Sequence, residues 1–458
     1  MNKKLWGGRF KKETDKQFFA FQKSIQYDYI LAGFDICHSL IHIGALKDAG
    51  ILSAQEYNSL KKSLAGILDE VKKGKFVPSF QDEDIHSYIQ QRVTESAGDK
   101  LSAKLHTLRS RNDQVIFDTK CYCYVEMLNL SDMLKNVCNS FLHLAEMYGD
   151  MPFAGYTHTQ RAQVIPFAKG YAGAYVNMFT RDIKRIDRFL DNLIVYIGSG
   201  ALAGSVLKKN YERALKDFLR SSSGIKVKNI KVVENPVDNV SDRDFVIEVL
   251  QIISLIQMHL SRFCEDVINY STAEYSFFDL PEEFCTGSSL MPHKKNPDFA
   301  ELVRGYTGRI YGDLLAVMTM MKGLPLTYNR DMQVDKESLT SAVSLLQNEL
   351  LIMARFIKGI KLNRQKIDEV LSDQRLYATE LAEYLVSKGV AFKDAHECVG
   401  ALIRFCEDNK KIIADLSDKE LKDFNLNLNG LDVKKVMNSG YAIRSKKASF
   451  KNLPGMFK

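Results

Sequence analysis

Apolar residues recur at helical spacing along several stretches that hold no helix breaker. Between Asn112 and Tyr148 there is neither proline nor glycine, and Val115, Ile116, Met127, Leu128, Leu130, Leu134, Val137, Phe141, Leu142 and Ala145 keep that spacing. The run predicts one helix on the order of 55 Å long, stopped by Gly149 and Pro152. A second long helix is predicted to open at Ser241 as N-cap, with Asp244 three residues on, and to run through Val246, Val249, Leu250, Ile253, Ile256, Leu260, Phe263, Val267 and Ile268 towards Ser271. A third is predicted from Pro166 to Val195. A fourth runs from Pro297 to about Met321, with Asn296 as N-cap, Pro297 at the first helical position and Asp298 near the positive end of the dipole. No alternating strand pattern of comparable strength is present, and short strands are expected only near Ile225 to Val233. The fold class is all-α, and helices of this length point to a bundle.

The chain has 458 residues, 45% of them hydrophobic and 26% charged. That suits roughly two to three domains and a large core, and excludes general disorder. Three mostly helical domains are expected: 1–109, with shorter helices broken at Gly50, Gly74 and Pro78; 110–358, holding the long helices; and 359–458, where helices shorten again. The formal charge of +7 is mild for this length and gives no reason to expect nucleic acid. The eight cysteines include no C-x-x-C pair, which argues for reduced, mostly buried thiols and against a zinc or disulfide framework. The basic start MNKKLWGGRFKK has no apolar run behind it, and the longest uncharged stretch, Asn192 to Leu207, is too short to span a bilayer. A soluble, cytoplasmic protein without a membrane or nucleic-acid partner is expected.

Four polar clusters interrupt or end the helical stretches. Thr286 to Glu301 (TGSSLMPHKKNPDFAE) sets Ser288, Ser289, Lys294, Lys295 and Asn296 ahead of a helix N-terminus, where backbone N–H groups can meet an anion. A serine held beside a cation there can have its alkoxide stabilised, as proton abstraction requires. The plain alternative is a polar helix-entry loop. His106 to Gln114 (HTLRSRNDQ) offers Arg109, Ser110, Arg111 and Asn112, and arginine forks match carboxylates. Equally, Asn112 or Asp113 caps the helix and the arginines are surface groups. Gly155 to Gln163 (GYTHTQRAQ) surrounds His158 with hydroxyls and amides, which suits an acid or base near neutral pH, with Glu301 as one candidate carboxylate partner. Most isolated histidines are inert. Thr327 to Glu337 (TYNRDMQVDKE) can read an amino-acid end through Tyr328, Gln333 and Lys336, or simply start a charged helix.

In this order the clusters resemble the fumarase/aspartase superfamily. Gly287-Ser288-Ser289-Leu290-Met291-Pro292-His293-Lys294-Lys295-Asn296-Pro297 matches its mobile G-S-S-x-M-P-x-K-x-N segment. Trp6-Gly7-Gly8-Arg9-Phe10, Arg109 to Gln114, Tyr156 to Gln160, Val240 to Phe245 and Thr327 to Asp331 look more closely like the argininosuccinate lyase family, from the first ten residues to at least Lys336. The resemblance implies reversible β-elimination of argininosuccinate to arginine and fumarate, the last step of arginine biosynthesis, with no metal and no cofactor. It implies Ser288 as base, His158 as acid with Glu301 as its partner, and Lys294 as electrostatic stabiliser; the acid and base labels of Ser288 and His158 stay interchangeable. Ser110, Arg111, Asn112, Thr157 and Asn296 are implied as binding residues, the serine, the threonine and both asparagines on the succinate half. Ser24, Tyr328, Gln333 and Lys336 are implied on the arginine half. The family fold is three mostly helical domains whose central helices join a 20-helix core in a homotetramer, each site drawing on three chains. Leu108 stands where the family usually has a small residue, His293 replaces a common glutamine, and Ser199 to Asn210 lacks the usual F-P-I-D-R continuation. Rival readings are a sister fumarate-releasing lyase, such as one acting on adenylosuccinate, and an inactive structural relative of the delta-crystallin type.

Overall fold

The computed structural model describes Lys12, residues 14–221 and residues 225–457. The Trp6 to Phe10 motif lies outside these described residues. The chain is mostly helical, and its longest helices are Arg111–Tyr148 with 38 residues, Asp244–Tyr270 with 27, Asp335–Gly359 with 25 and Asp298–Met321 with 24. The first follows from the proline- and glycine-free run almost residue for residue. Its apolar positions Ile116, Met127, Leu130, Leu134, Val137 and Phe141 are all buried.

Two compact units divide the chain, with boundaries that fall inside the long helices. The first comprises residues 1–130, 185–254 and 308–345. Here Ala32–Asp48, Ala54–Lys72, Ile85–Ala97 and Lys208–Arg220 pack around Ile36, Ile43, Leu46, Leu60, Leu64 and Val93. Ser53 and Glu56 form a reciprocal capping box, and the Asp84 side chain caps the Ile85–Ala97 helix. The strand expected near residues 225–233 is Ile230–Val232, paired in parallel with Val195–Ile197.

The second unit comprises residues 131–184, 255–307 and 346–458. It holds a departure from the all-α expectation: Pro152–Thr157 and Gln160–Pro166 form an antiparallel hairpin. The hairpin has a physical reason that periodicity alone hides. Phe153 is completely buried in an aromatic cluster with Phe167, Tyr171, Tyr270 and Phe277, ring centroids 5.3–5.7 Å away. The same unit carries a smaller core of Leu381, Leu385, Val399, Leu402, Leu421, Leu428 and Val433.

Three helix starts differ from expectation. The second long helix begins at Asp244, not Ser241, because Ser241 ends the short Pro236–Ser241 helix and the Asp242 carboxylate receives the Asp244 N–H at 2.9 Å. The third begins with a π-helical stretch, Phe167–Ala172, and continues as Gly173–Asn192. The fourth begins at Asp298, and the Asn296 amide is turned back towards Thr286 and Gly287 at 3.4 Å instead of capping it. All eight cysteines are free thiols. Residues 16–48 and Asp244–Tyr270 are long and apolar enough to cross a membrane by composition, yet Val246, Val249, Leu250, Ile253 and Ile256 are buried in protein.

Glu349 lies buried in the second unit. Burial pushes its carboxyl up to about 8, opposed only in part by Gln257. A carboxyl raised on folding favours the protonated native state, so its contribution is complete at acid pH and is lost as pH rises through about 8. Thermal melts between pH 5 and 9 should therefore show Glu349→Gln losing less stability at the alkaline end than the parent. Parallel profiles would contradict this.

Candidate active site

The Thr286 to Glu301 segment forms a loop pinned at its base. Thr286 and Asn296 exchange two backbone hydrogen bonds, Thr286 N to Asn296 O at 3.3 Å and Asn296 N to Thr286 O at 2.8 Å. The Thr286 N–H and hydroxyl both donate to Asp298 Oδ2, at 2.9 and 2.7 Å. The hydroxyl bond is the main cause holding the Asp298 carboxyl below its usual range. Inside this clasp, Ser288 Oγ accepts the N–H groups of Met291 at 3.0 Å and Leu290 at 3.3 Å. Two donors aimed at a serine oxygen favour its deprotonated form. The two lysines separate cleanly. Lys295 Nζ bonds Asp279 Oδ1 at 2.9 Å and the Leu280 carbonyl at 2.5 Å. Lys294 is exposed and makes no ion pair among the described residues, acting on the Asp298 carboxylate only at longer range.

His158 and Thr159 are the two central residues of the hairpin turn, with Thr157 paired to Gln160. Both have left-handed backbones, φ 53° and 59°. A two-residue turn of that hand normally selects glycine or asparagine, so His158 and Thr159 hold it at a cost of roughly 1–2 kcal/mol per residue. Strain of this kind clusters at functional sites. Thr157 and His158 are exposed, and the imidazole bonds to nothing among the described residues. Within this same unit His158 and Glu301 form no ion pair, and Ser288 bonds only within its own loop.

The first unit gathers the other named residues. Ser24, buried, donates to Asp28 Oδ2 at 2.6 Å. Arg111 is paired with Asp84 at 2.5 Å and reaches Ser87 Oγ at 3.5 Å. Burial raises the Asp84 carboxyl, but Arg111, His86 and the bonds from Ser87 outweigh it and bring it to about 2. Ser110 Oγ accepts the Asn112 N–H at 3.2 Å, and Asn112 Nδ2 donates to the Ala201 carbonyl at 3.1 Å. Gln333 Nε2 donates to the Gln22 carbonyl at 2.8 Å, from a short 3-10 turn, Arg330–Val334. Lys336 Nζ bonds Asp335 Oδ1 at 2.8 Å, both buried. Tyr328 is half-buried, and burial raises its phenol against the pull of Arg330 and Arg243.

Sequence reasoning missed the buried charges beneath these groups. Arg243 is paired with Asp335 through Nε, and Lys120 Nζ lies 2.8 Å from Asp242 and 3.2 Å from Asn239 Oδ1. Burial raises the Asp335 carboxyl, yet Lys336 and Arg243 together keep it below its usual value. A lysine inside the apolar stretch FDTKCYCY is the signal that was available. Asp35, His86 and Asp118 have a composition that can hold a metal, and their candidate donor atoms lie within 4.8 Å of one another. However, Asp35 already accepts from Gln114 at 2.7 Å and from His86 at 3.0 Å. Burial and the Asp35 charge push the Asp118 carboxyl well up.

The family described as Lyase matches residues 8–312, and the one described as Argininosuccinate lyase C-terminal matches residues 375–444. An argininosuccinate lyase of Caldanaerobacter subterraneus subsp. tengcongensis is 43% identical over 422 residues, 92% of this chain and 93% of its own. That of Clostridioides difficile is 42% identical, covering 92% of this chain and 94% of its own. The chain belongs to the argininosuccinate lyase family. Its fold is shared with a variant of EDDS lyase with bound fumarate, at TM-score 0.76 and 19% identity over 93% of this chain and 87% of that one. It is shared also with the class II fumarase from Schistosoma mansoni, at TM-score 0.74 and 17% identity over 91% and 90%.

Leu108 has φ 58° and an exposed side chain, directly before Arg109. Leu108→Gly should raise stability by about 1 kcal/mol, since relief of the left-handed strain exceeds the added chain entropy. A chemical denaturation midpoint below that of the parent would contradict it.

Proposed function

We propose that this chain catalyses the reversible β-elimination of argininosuccinate to L-arginine and fumarate, as the last step of arginine biosynthesis. Relatives named argininosuccinate lyase at 42–43% identity over 92% of the chain support the substrate and the reaction. The observation that carries the assignment of roles is the loop geometry: a serine oxygen holding two N–H donors, in the same loop as a lysine that makes no ion pair among the described residues. The base removes a weakly acidic proton alpha to one succinate carboxylate. The electron pair spreads into that carboxylate as a doubly charged aci-form, and the guanidino nitrogen then leaves with a proton from the acid. Ser288 is the base, favoured by its two donors, and His158 the acid with Glu301 as partner. Lys294 meets the extra negative charge, a role open to it because Lys295 is spent on Asp279.

Ser110, Asn112, Thr157 and Asn296 take the succinate half, with Arg111 anchored on Asp84 beside them. Ser24, Tyr328, Gln333 and Lys336 take the arginine half. The protein works as a cytoplasmic homotetramer, without metal or cofactor and without a nucleic-acid or membrane partner. Of its three domains, 1–109, 110–358 and 359–458, the central one joins its long helices to a 20-helix core, with each site shared between chains. Two observations support assembly. The Asp298–Met321 helix leaves Leu302, Tyr306, Tyr311, Leu315 and Met318 exposed, around Gly305, Gly308 and Gly312 that have open space beside them. His158, Glu301 and Ser288 also lack one another as partners within their own unit.

Fumarate absorbance monitored with argininosuccinate tests the reaction: release of fumarate is expected, and release from adenylosuccinate alone would favour the sister lyase. Ser288→Ala should lower kcat by roughly 10²–10⁴-fold with the tetramer intact, and a parental kcat would remove the serine from the mechanism. Lys294→Met should cost on the order of 10²–10³-fold in kcat and Lys295→Met far less; equal losses would contradict the division between the lysines. Refolded mixtures of inactive His158→Asn and Ser288→Ala chains should regain partial activity, and failure across mixing ratios would count against shared sites.

A further inference from the structure

The Asp113 carboxylate is buried, yet no lysine or arginine lies in ion-pair contact with it among the described residues. Its oxygens are seated instead on backbone N–H groups. Gly198 N lies 3.1 Å from both Oδ1 and Oδ2, and Ser199 N lies 2.9 Å from Oδ1. His38 Nε2 is 3.6 Å from Oδ2. Charge-assisted bonds of this kind are about twice as strong as neutral ones. They clamp residues 198–204 onto the first turn of the Arg111–Tyr148 helix.

The clamped loop is closed on itself. Gly204 N donates to Ser199 O at 2.9 Å, and Gly198, Gly200 and Gly204 all have left-handed backbones, φ 93°, 57° and 81°. A Cβ at Gly200 would collide with the Gly204 carbonyl oxygen. The Ser199 hydroxyl is held from the other side by Asn239 Nδ2 at 2.9 Å. Held this way, the loop presents the Ala201 carbonyl to Asn112 Nδ2 at 3.1 Å. That bond commits one N–H of the Asn112 amide and fixes which way the amide faces. Its second N–H is left for an incoming acceptor, whereas a flipped amide would present oxygen to a carboxylate and repel it.

We infer that Asp113 is a positioning residue for the reaction: by clamping residues 198–204 it makes the Ala201 carbonyl orient the Asn112 amide towards a substrate carboxylate. The inference rests on the proposed role of Asn112 on the succinate half. Asn112 meets that carboxylate in ground and transition states alike, so misorienting it weakens binding more than turnover.

The test compares the full-length parent with Asp113→Asn and Gly200→Ala in steady-state fumarate release from argininosuccinate. In Asp113→Asn the new amide N–H faces the Gly198 N–H, donor against donor. KM should rise about tenfold, the worth of one lost hydrogen bond, while kcat stays within about threefold. Gly200→Ala, which opens the loop without touching Asp113, should do the same, and the double variant should match the singles because both break one linkage. Should Asp113→Asn not fold, Gly200→Ala decides alone. A KM within twofold of the parent in the folded variants overturns the inference, including where melting temperature falls, since a purely structural role would move stability and leave KM alone. A parent enzyme that releases no fumarate sinks the functional reading instead; an active parent with indifferent variants sinks only this one.

Discussion

Charge taken out of water has to be met by opposite charge or by oriented N–H groups, and the first unit of this protein is organised by that requirement. Asp335 lies between the Arg243 guanidinium and the Lys336 ammonium. Lys120 is answered by Asp242 and Asn239, Arg111 by Asp84, and Asp113 by two peptide N–H groups. Two of these pairs fix side chains that the sequence nominates for ligand contact, Lys336 and Arg111. The proposed reaction meets the same requirement at its hardest point, where a second negative charge appears on a carboxylate.

The second unit spends its structure differently. Its candidate groups are exposed and held by backbone geometry: a loop closed by the Thr286–Asn296 bridge and the Asp298 clasp, and a hairpin turn whose histidine and threonine take left-handed backbones. Neither device gives His158 or Lys294 an ion pair among the described residues. Groups displayed at such cost without partners are suited to meet something that arrives from outside the unit, either a ligand or another chain.

Much of this was legible in the residues themselves. The absence of proline and glycine between Asn112 and Tyr148 gives the longest helix nearly whole, and the Gly287 to Pro297 motif marks the loop. Helix starts were less legible because competing caps stand close together: Ser241 and Asp242 are both good candidates, and only the backbone path shows that Asp242 takes the Asp244 N–H. The hairpin at Pro152–Pro166 was hidden because its burial is aromatic clustering around Phe153 rather than strict alternation. Buried ion pairs such as Arg243 with Asp335 are set by tertiary contact between positions 92 residues apart, which no local pattern encodes.

Under the proposed function, the Ser288 loop, the His158 turn and the Asn112 turn complete one site only when chains assemble around substrate. A crystal structure of the Ser288→Ala variant soaked with argininosuccinate decides this. The loop should be closed over the succinate, with Lys294 Nζ near its carboxylate and His158 contributed by a different protomer. Substrate bound away from the loop, or held with His158 and residue 288 of one and the same chain, would contradict it.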